Sequence, residues 1–427
     1  MRKTRRPSIN VPSAPATATF ASLFRVREFR YLYPAYALSY MGDQLSSVAV
    51  AILVFDRTGS AAVTAMAFAA SFLPSALGPV LGSFADRIAR RRLLVVCDLA
   101  RAVLVAVLAI PGMPIGAAIA LLYLAHLFTP PFTSARAALM PEVLSGEAYI
   151  AGNGLTNLTY QVSQVAGFAI GGAIVLLITP AGALLVNAAT FVISAMLIWR
   201  GIRPRSAPES HGVRWSPLKD AVEGARYVFA DPWLRCCLLL VWLVPAFAFG
   251  IEAIAYPLAR ELGGGPSLAG MLMATIALGY ATGATILTRW TPSSVRDRIL
   301  APLAVLPGLA LLPMLAHPPT LVVLALLFCC GLGCSFGTPL NAMFVQRVAP
   351  AYRGRAMGVA IAGIAAGQGG GFLLAGWVTD LGVTASAAVG LCGACAVAAA
   401  LCCGAAYASV SRRAASTDVT PSGPSRT

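Results

Sequence analysis

Two carboxylic acids in this chain lie inside long apolar runs, each on a helix face shared with aromatic side chains. Asp43 is central in the run Tyr33–Phe55, and Tyr36, Tyr40, Asp43 and Ser47 follow one another at +4, +3 and +4. Those steps keep all four on one side of a helix. Glu252 repeats the arrangement in the run Leu234–Tyr256, where Trp242, Pro245, Phe249, Glu252 and Tyr256 are spaced +3, +4, +3 and +4. Desolvation drives an acid in an apolar wall toward its neutral form. Such an acid can hold a proton and exchange it for a cationic ligand, a sufficient physical basis for proton coupling. The competing reading is a protonated acid that makes one interhelical hydrogen bond.

Two more ionisable residues, Asp98 and Arg101, lie within an apolar run. An ionisable side chain near the centre of a membrane-spanning helix costs about 2.5–3.5 kcal/mol on insertion scales. Asp98 and Arg101 are one turn apart in Leu93–Ile110 and are expected to form a structural ion pair. Asp43 is expected to have no such charged neighbour. His126, one turn after Tyr123, is a candidate for the same polar interior, with a packing histidine as the alternative. Asn157, Gln161 and Gln164 make a polar edge that can contact a ligand or bond to a neighbouring helix. Arg136, Arg353 and Arg355 are expected in short loops, paired with lipid phosphates or acidic loop residues.

Several chemistries are excluded. The only lysines are Lys3 and Lys219, and neither follows a glycine-rich phosphate loop, so no ATP motor is expected. His126, His211 and His317 are far apart, and there is neither His-Glu-x-x-His nor Gly-x-Ser-x-Gly. The ten cysteines give no disulfide framework, and Cys392-x-x-Cys395 lacks the second pair of a zinc site. No enzyme activity, metal or cofactor is expected.

The elements that position these residues are membrane spans. The 427 residues are 58% hydrophobic and 11% charged, with a mean hydropathy of +0.78. Runs of 18 or more mainly apolar residues, long enough to cross hydrocarbon, number twelve. In the first half they are Tyr33–Phe55, Ala61–Phe84, Leu93–Ile110, Ile115–Phe132, Leu155–Ile178 and Ala181–Trp199. In the second they are Leu234–Tyr256, Ser267–Thr288, Ile299–Ala316, Leu321–Met343, Ala356–Val378 and Val383–Ala406. The net charge of +15 does not signal nucleic acid. With the N-terminus inside, all but Arg57, Arg101 and Arg260 of the 31 Lys and Arg residues fall on the inner side. That asymmetry predicts a multi-pass plasma-membrane protein with both termini in the cytoplasm. Residues 1–20 have no signal-peptide pattern.

The longest break, Arg200–Trp233, separates six runs from six, and the halves repeat. Gly78-x-x-x-Gly82-x-x-x-Asp86 corresponds to Gly279-x-x-x-Gly283-x-x-x-Leu287 at an offset of 201. Thr129-Pro130 and Pro141 match Thr338-Pro339 and Pro350 at an offset of 209. The expected organisation is a tail and interfacial segment (1–32), a six-helix bundle (33–199), a cytoplasmic linker (200–233), a second six-helix bundle (234–409) and a tail (410–427). Small residues recur at i, i+4 in Gly78/Gly82, Gly167/Gly171, Gly279/Gly283 and Gly363/Gly367/Gly371. Such faces let helices approach closely in lipid.

Between the second and third runs stands Gly82-Ser-Phe-Ala-Asp86-Arg87-Ile-Ala-Arg90-Arg91-Arg92. It resembles the loop 2–3 signature of the major facilitator superfamily, Gly-x-x-x-Asp-Arg-x-Gly-Arg-Arg/Lys, with Ala89 at the inner glycine. Ser39–Gln44, Ala135–Pro141 and Val348–Arg355 resemble the branch that holds bacterial macrolide-efflux and siderophore-export proteins. The resemblance covers Leu23 to about Tyr407. One departure is Gly167-Phe-Ala-Ile-Gly171-Gly172, where related antiporters carry Gly-Pro-x-x-Gly-Gly.

The resemblance implies an all-α membrane protein of two pseudo-symmetric bundles, the first and seventh helices lining a central cavity. It puts helix 2 against 11 and helix 5 against 8, so that the four glycine stripes, with Asp86, Arg87, Arg90 and Arg91, would serve gating. It implies a monomeric secondary transporter partnered by lipid, protons and a small molecule. The leading expectation is a proton-coupled exporter of an amphipathic, cationic drug-like compound or secondary metabolite. The first alternative, an exporter of siderophores or anionic metabolites, requires an unpaired cation in the cavity, and Arg101 is its candidate. The second is a membrane sensor that binds without transporting.

Overall fold

The computed structural model describes residues 20–82, 88–205 and 217–417, and among these every regular element is helical. Asp86 and Arg87 lie outside the described residues. The first half contains α1 (Arg27–Thr58), α2 (Ala61–Ala76), α3 (Arg90–Leu108), α4 (Ile115–His126), α5 (Thr129–Val143) and α6 (Gly146–Gly201). Then come α7 (Pro217–Ala230), α8 (Pro232–Ala248), α9 (Ile251–Glu261), α10 (Pro266–Thr285), α11 (Ser293–Leu311), α12 (Thr320–Cys334), α13 (Gly337–Arg347), α14 (Arg353–Asp380) and α15 (Ala385–Thr417). Among the described residues, eight helical stretches are long and apolar enough to cross a membrane.

Local signals set the boundaries. Gly59, at φ 65°, ends α1 in the left-handed conformation that favours glycine, and Ser60 caps α2 by accepting from the Val63 amide. Asp231 caps α8, accepting from the Trp233 and Leu234 amides, with Pro232 at the first helical position.

The 56 residues of α6 make two antiparallel passes. The chain reverses at Thr179 (φ 68°, ψ 160°) next to Pro180. On the way out, Thr159 meets the Tyr33 hydroxyl at 2.6 Å, and Gly171 packs on Leu45 and Val48. On the way back, Asn187 and Thr190 lie against Gly42, and Gly201 lies against Tyr31. Both passes therefore bury α1, which becomes the core of the first half. Its lower end is sealed by Phe24, Phe29 and Tyr33, with ring centroids 5.4–5.6 Å apart.

The linker region, expected only as a break, contains the helix α7. Arg355 bridges its Asp220 (2.8 Å) and Glu223 (2.9 Å), and Tyr227 stacks on Tyr352 at 4.4 Å. The linker is thus fastened to the second half, and Arg355 pairs with acids rather than lipid. On the first half, Arg205 pairs with Glu28 (2.6 Å) and Glu142 (3.3 Å), and Arg90 also pairs with Glu142. Arg91 lies over Trp199 and donates to its carbonyl.

The halves meet where the resemblance implies, α2 on α14 and α6 on α10, but the glycine assignment is corrected. Gly167 and Gly171 face α1, Gly279 and Gly283 face α12 and Ser335, and Gly363, Gly367 and Gly371 face Trp242 and Ala246 of α8. Gly82 faces Ser134, and Gly78 has open space. All these stripes except Gly78 pack within one half. The cross-half contacts use neighbouring residues: Gly172 against Gly270 and Pro266, Gly376 against Ala61 and Ala65, and Gly369 against Ala69 and Leu73. An i, i+4 stripe reports that a backbone comes close, not whose backbone it is.

At the end remote from the linker, Asp380 of α14 binds the start of α2. It accepts from the Ser60 hydroxyl (2.5 Å) and the amides of Ala61 (2.8 Å) and Ala62 (3.2 Å). Phe55 meets Tyr256 edge-on at 5.7 Å nearby. At the linker end, every ion pair among the described residues stays within one half or joins the linker helix to it.

Candidate functional site

The acid on α1 has a partner that its own helix does not supply. Arg101 of α3 donates to the Asp43 carboxylate, lies 3.9 Å from Asp98 and approaches the Ser39 hydroxyl at 3.5 Å. Its guanidinium also covers the Phe191 ring at 4.1 Å. Asp98 is completely buried and accepts from the Ser194 hydroxyl at 2.5 Å. The expected Asp98–Arg101 pair is therefore two-thirds of a triad, and the expectation that Asp43 lacks a charged neighbour is corrected. Spacing along one helix identifies neighbours on that helix only; the contact between α1 and α3 is tertiary. Two carboxylates around one guanidinium leave one excess negative charge, which a single proton would neutralise.

Asp43 keeps about a fifth of its side chain exposed. That face opens on a small recess with Ser46, Ser47, Ser71 and His126 on its polar side and Val50, Ala67, Phe68 and Leu122 on its apolar side. His126 ends α4 just before α5 and is within electrostatic reach of both Asp43 and Arg101. Ser47 donates to the Asp43 carbonyl at 3.0 Å.

The acid on the second half is different. Glu252 is 6% exposed, and among the described residues its carboxylate has no hydrogen-bond or ion-pair partner. It sits where its helix is interrupted: α8 ends at Ala248, and Glu252 is in the first turn of α9, which is distorted at Ile254 (φ −113°, ψ 16°). Pro245, Gly250 and Pro257 surround the interruption.

Between the two acids runs a row of tyrosines. Tyr36 and Tyr40 of α1 stack at 6.0 Å, and Tyr40 meets Tyr160 of α6 at 4.7 Å. Tyr160 is within electrostatic reach of Tyr280 on α10 and of Glu252. It is 42% exposed, and the groups within its electrostatic reach come from both halves. Tyr280 in turn meets the Thr338 hydroxyl at 3.3 Å. At the other end, Arg136 places its guanidinium 4.1 Å over the Tyr36 ring. Arg136 is part of α5 rather than a loop residue, which corrects its expected place.

Not every candidate joins this row. Trp242 donates its indole N–H to the Ala360 carbonyl at 3.1 Å and packs against Gly363, so it holds α8 to α14. Tyr256 is 3% exposed and belongs to the contact with Phe55 at the remote end. Phe249 packs on the main apolar cluster at the helix break. Gln161 has a buried side-chain oxygen with no partner, and Gln164 is half-buried one turn on. Tyr160 and Tyr280 were missed by sequence reasoning. Tyr160 was legible as part of the polar edge Asn157, Gln161 and Gln164; Tyr280 carried no such signal. Among the described residues no cluster of His, Cys, Asp and Glu could hold a metal.

Comparison with known proteins places this geometry. Over 357 residues the chain is 26% identical to the multidrug efflux pump Tap of Mycolicibacterium fortuitum, covering 79% of this chain and 86% of that one. It is 28% identical over 362 residues to the multidrug efflux pump Tap of Mycobacterium tuberculosis (strain ATCC 25618 / H37Rv), covering 79% and 84%. Among solved structures, the fold is similar to the nucleoside transporter NupG (TM-score 0.66, 14% identity, 88% of this chain and 99% of that one). It is also similar to a bacterial homolog of the human lysosomal transporter Spinster in an inward-facing, occupied conformation (TM-score 0.66, 15% identity, 91% and 97%). The family model described as transmembrane secretion effector matches residues 17–424. The chain belongs to that family, within the major facilitator superfamily of membrane transporters.

Proposed function

We propose that the protein exports an amphipathic, cation-bearing small molecule in exchange for protons, by alternating access between its two halves. The observation that carries this reading is Glu252: a buried carboxylate without a partner among the described residues, at a helix interruption and within electrostatic reach of Tyr160, the last ring of an aromatic row on the first half. A partnerless buried acid is costly when charged and stable when protonated or when it faces a cation. It therefore takes a proton and a cation in turn rather than together. The efflux-pump relatives support export of drug-like compounds as the direction and substrate class.

The remote end is closed, latched by Asp380, which supports reading this conformation as one that does not open to the outside. The arginine-rich loops support cytoplasmic termini in the plasma membrane, and the chain is proposed to act as a monomer. In the cycle, Glu252 and the Asp43 triad take up protons facing out, inward opening releases them, and substrate binds before the halves rock back.

The test is uphill extrusion of the lipophilic cationic dye rhodamine 123 in inside-out vesicles with an imposed pH gradient. Glu252→Gln is expected to abolish gradient-driven accumulation while leaving downhill equilibration. Asp43→Asn is expected to change its pH dependence. Normal uphill rates in both variants overturn proton coupling. Arg101, the candidate cation of the anionic-metabolite alternative, is engaged by two carboxylates, so that alternative would have to rest on a different cation.

A further inference from the structure

One cation of the interior is not used by the reading above. Arg136 sits on α5 with its guanidinium over Tyr36, and its Nε is buried without a hydrogen-bond partner. Among the described residues none of its N–H groups has an acceptor and no carboxylate pairs with it. Arg101, by contrast, holds two acids. A guanidinium offers five donors in a planar fork matched to a carboxylate or phosphate. The face of a tyrosine satisfies its charge in part and its donors not at all. Buried donors are rarely left empty in a resting protein unless a ligand or water fills them.

The aromatic row that begins at Arg136 ends at Tyr160, which is within electrostatic reach of Glu252. Tyr36, Tyr40 and Tyr160 connect the two in ring steps of 6.0 and 4.7 Å. One end thus offers a cation and the other an acid, each without a partner among the described residues, and the middle offers the exposed side of Tyr160, Tyr36 itself being buried. We infer that the substrate is a zwitterionic aromatic amphiphile, with its anionic group at Arg136, its ring system along the tyrosines and its cationic group at Glu252. This inference rests on the proposed export reading and narrows its substrate class. A simple lipophilic cation would fill only the Glu252 end, and a simple anion only the Arg136 end.

A matched pair of dyes separates these cases. Rhodamine 110 carries a free carboxylate beside its cationic ring system, and rhodamine 123 is its methyl ester. Binding of each to the purified full-length protein is read by fluorescence anisotropy. Wild type is expected to prefer rhodamine 110 by about tenfold or more, the equivalent of one charge-assisted hydrogen-bond pair. Arg136→Gln should erase that preference while changing rhodamine 123 affinity by less than about twofold. Arg136→Lys should restore part of it, since charge returns without the fork. Glu252→Gln should weaken both dyes. Thermal melts identify any variant that misfolds, and the wild-type dye comparison remains decisive in that event. Equal affinity of wild type for the two dyes, binding of neither, or equal loss of both in a folded Arg136→Gln overturns the inference. If the dyes bind as expected but neither is extruded uphill, the export reading fails and the binding site stands. If rhodamine 123 is extruded with no preference for the carboxylate, export stands and the zwitterion inference fails.

Discussion

The two membrane-embedded acids occupy corresponding helices of the two halves, yet the halves treat them in opposite ways. On the first half, Asp43 lies on an uninterrupted helix and is held by Arg101, with Asp98, Ser39, Ser194 and Phe191 completing the cluster. On the second, Glu252 lies at the break between α8 and α9 with no partner among the described residues. Repetition of a pattern in sequence thus preserves where an acid stands but not what it bonds to. A carboxylate in an ion-paired cluster is a structural element that can also accept a proton. A carboxylate without partners has only protons, water and ligand to answer it.

Substitutions sharpen that contrast, and removing the cation of the triad has the largest expected effect on stability. Arg101→Ala leaves the buried Asp98 and the partly exposed Asp43 uncompensated and should cost about 3–5 kcal/mol, seen as a collapse of the thermal melt in detergent. Asp43→Asn leaves Arg101 with Asp98 and should cost about 1.5–3 kcal/mol, the range for hydrogen bonds to charged groups. If Asp43→Asn is as damaging as Arg101→Ala, the triad is not built around the arginine. Asp380→Ala removes a helix cap supplied by the opposite half and should cost about 1 kcal/mol. Because that cap joins the halves, the variant should also make cysteines placed at the remote end more reactive to membrane-impermeant thiol reagents; unchanged labelling would reject the latch. Glu252→Gln has no bond to break, so its melt should shift least, by under about 1 kcal/mol against the typical destabilising range. Its extrusion should nevertheless suffer most. Equal melts for Glu252→Gln and Asp43→Asn would dissolve the comparison.

A parallel contrast governs the glycines. The stripes visible at i, i+4 pack helices within a half, as Gly371 does on Ala246 and Gly279 on Phe328. The contacts between halves fall on Gly172, Gly270, Gly369 and Gly376, which carry no stronger pattern in sequence. Gly172→Val should therefore hinder closure of the remote end with little effect on the first half alone, because its new side chain meets Pro266 and Gly270 across the boundary. Gly371→Val should instead weaken the second half, and the two are told apart by thiol labelling against thermal melt.

Apolar length, arginine asymmetry and the central break made the membrane class, the helical fold and the pairing of Asp98 with Arg101 legible in the sequence, because each depends on composition or on spacing along one helix. The same periodicity put Tyr36, Tyr40 and Asp43 on one face and Glu252 on another. Arg101 reaching across to Asp43, the hairpin at Thr179, α7 locked to Arg355, and Arg136 meeting Tyr36 all join residues far apart in the chain. Only the packing of helices in three dimensions decides such contacts, since a helix face states what it offers to a neighbour and carries no record of which neighbour arrives.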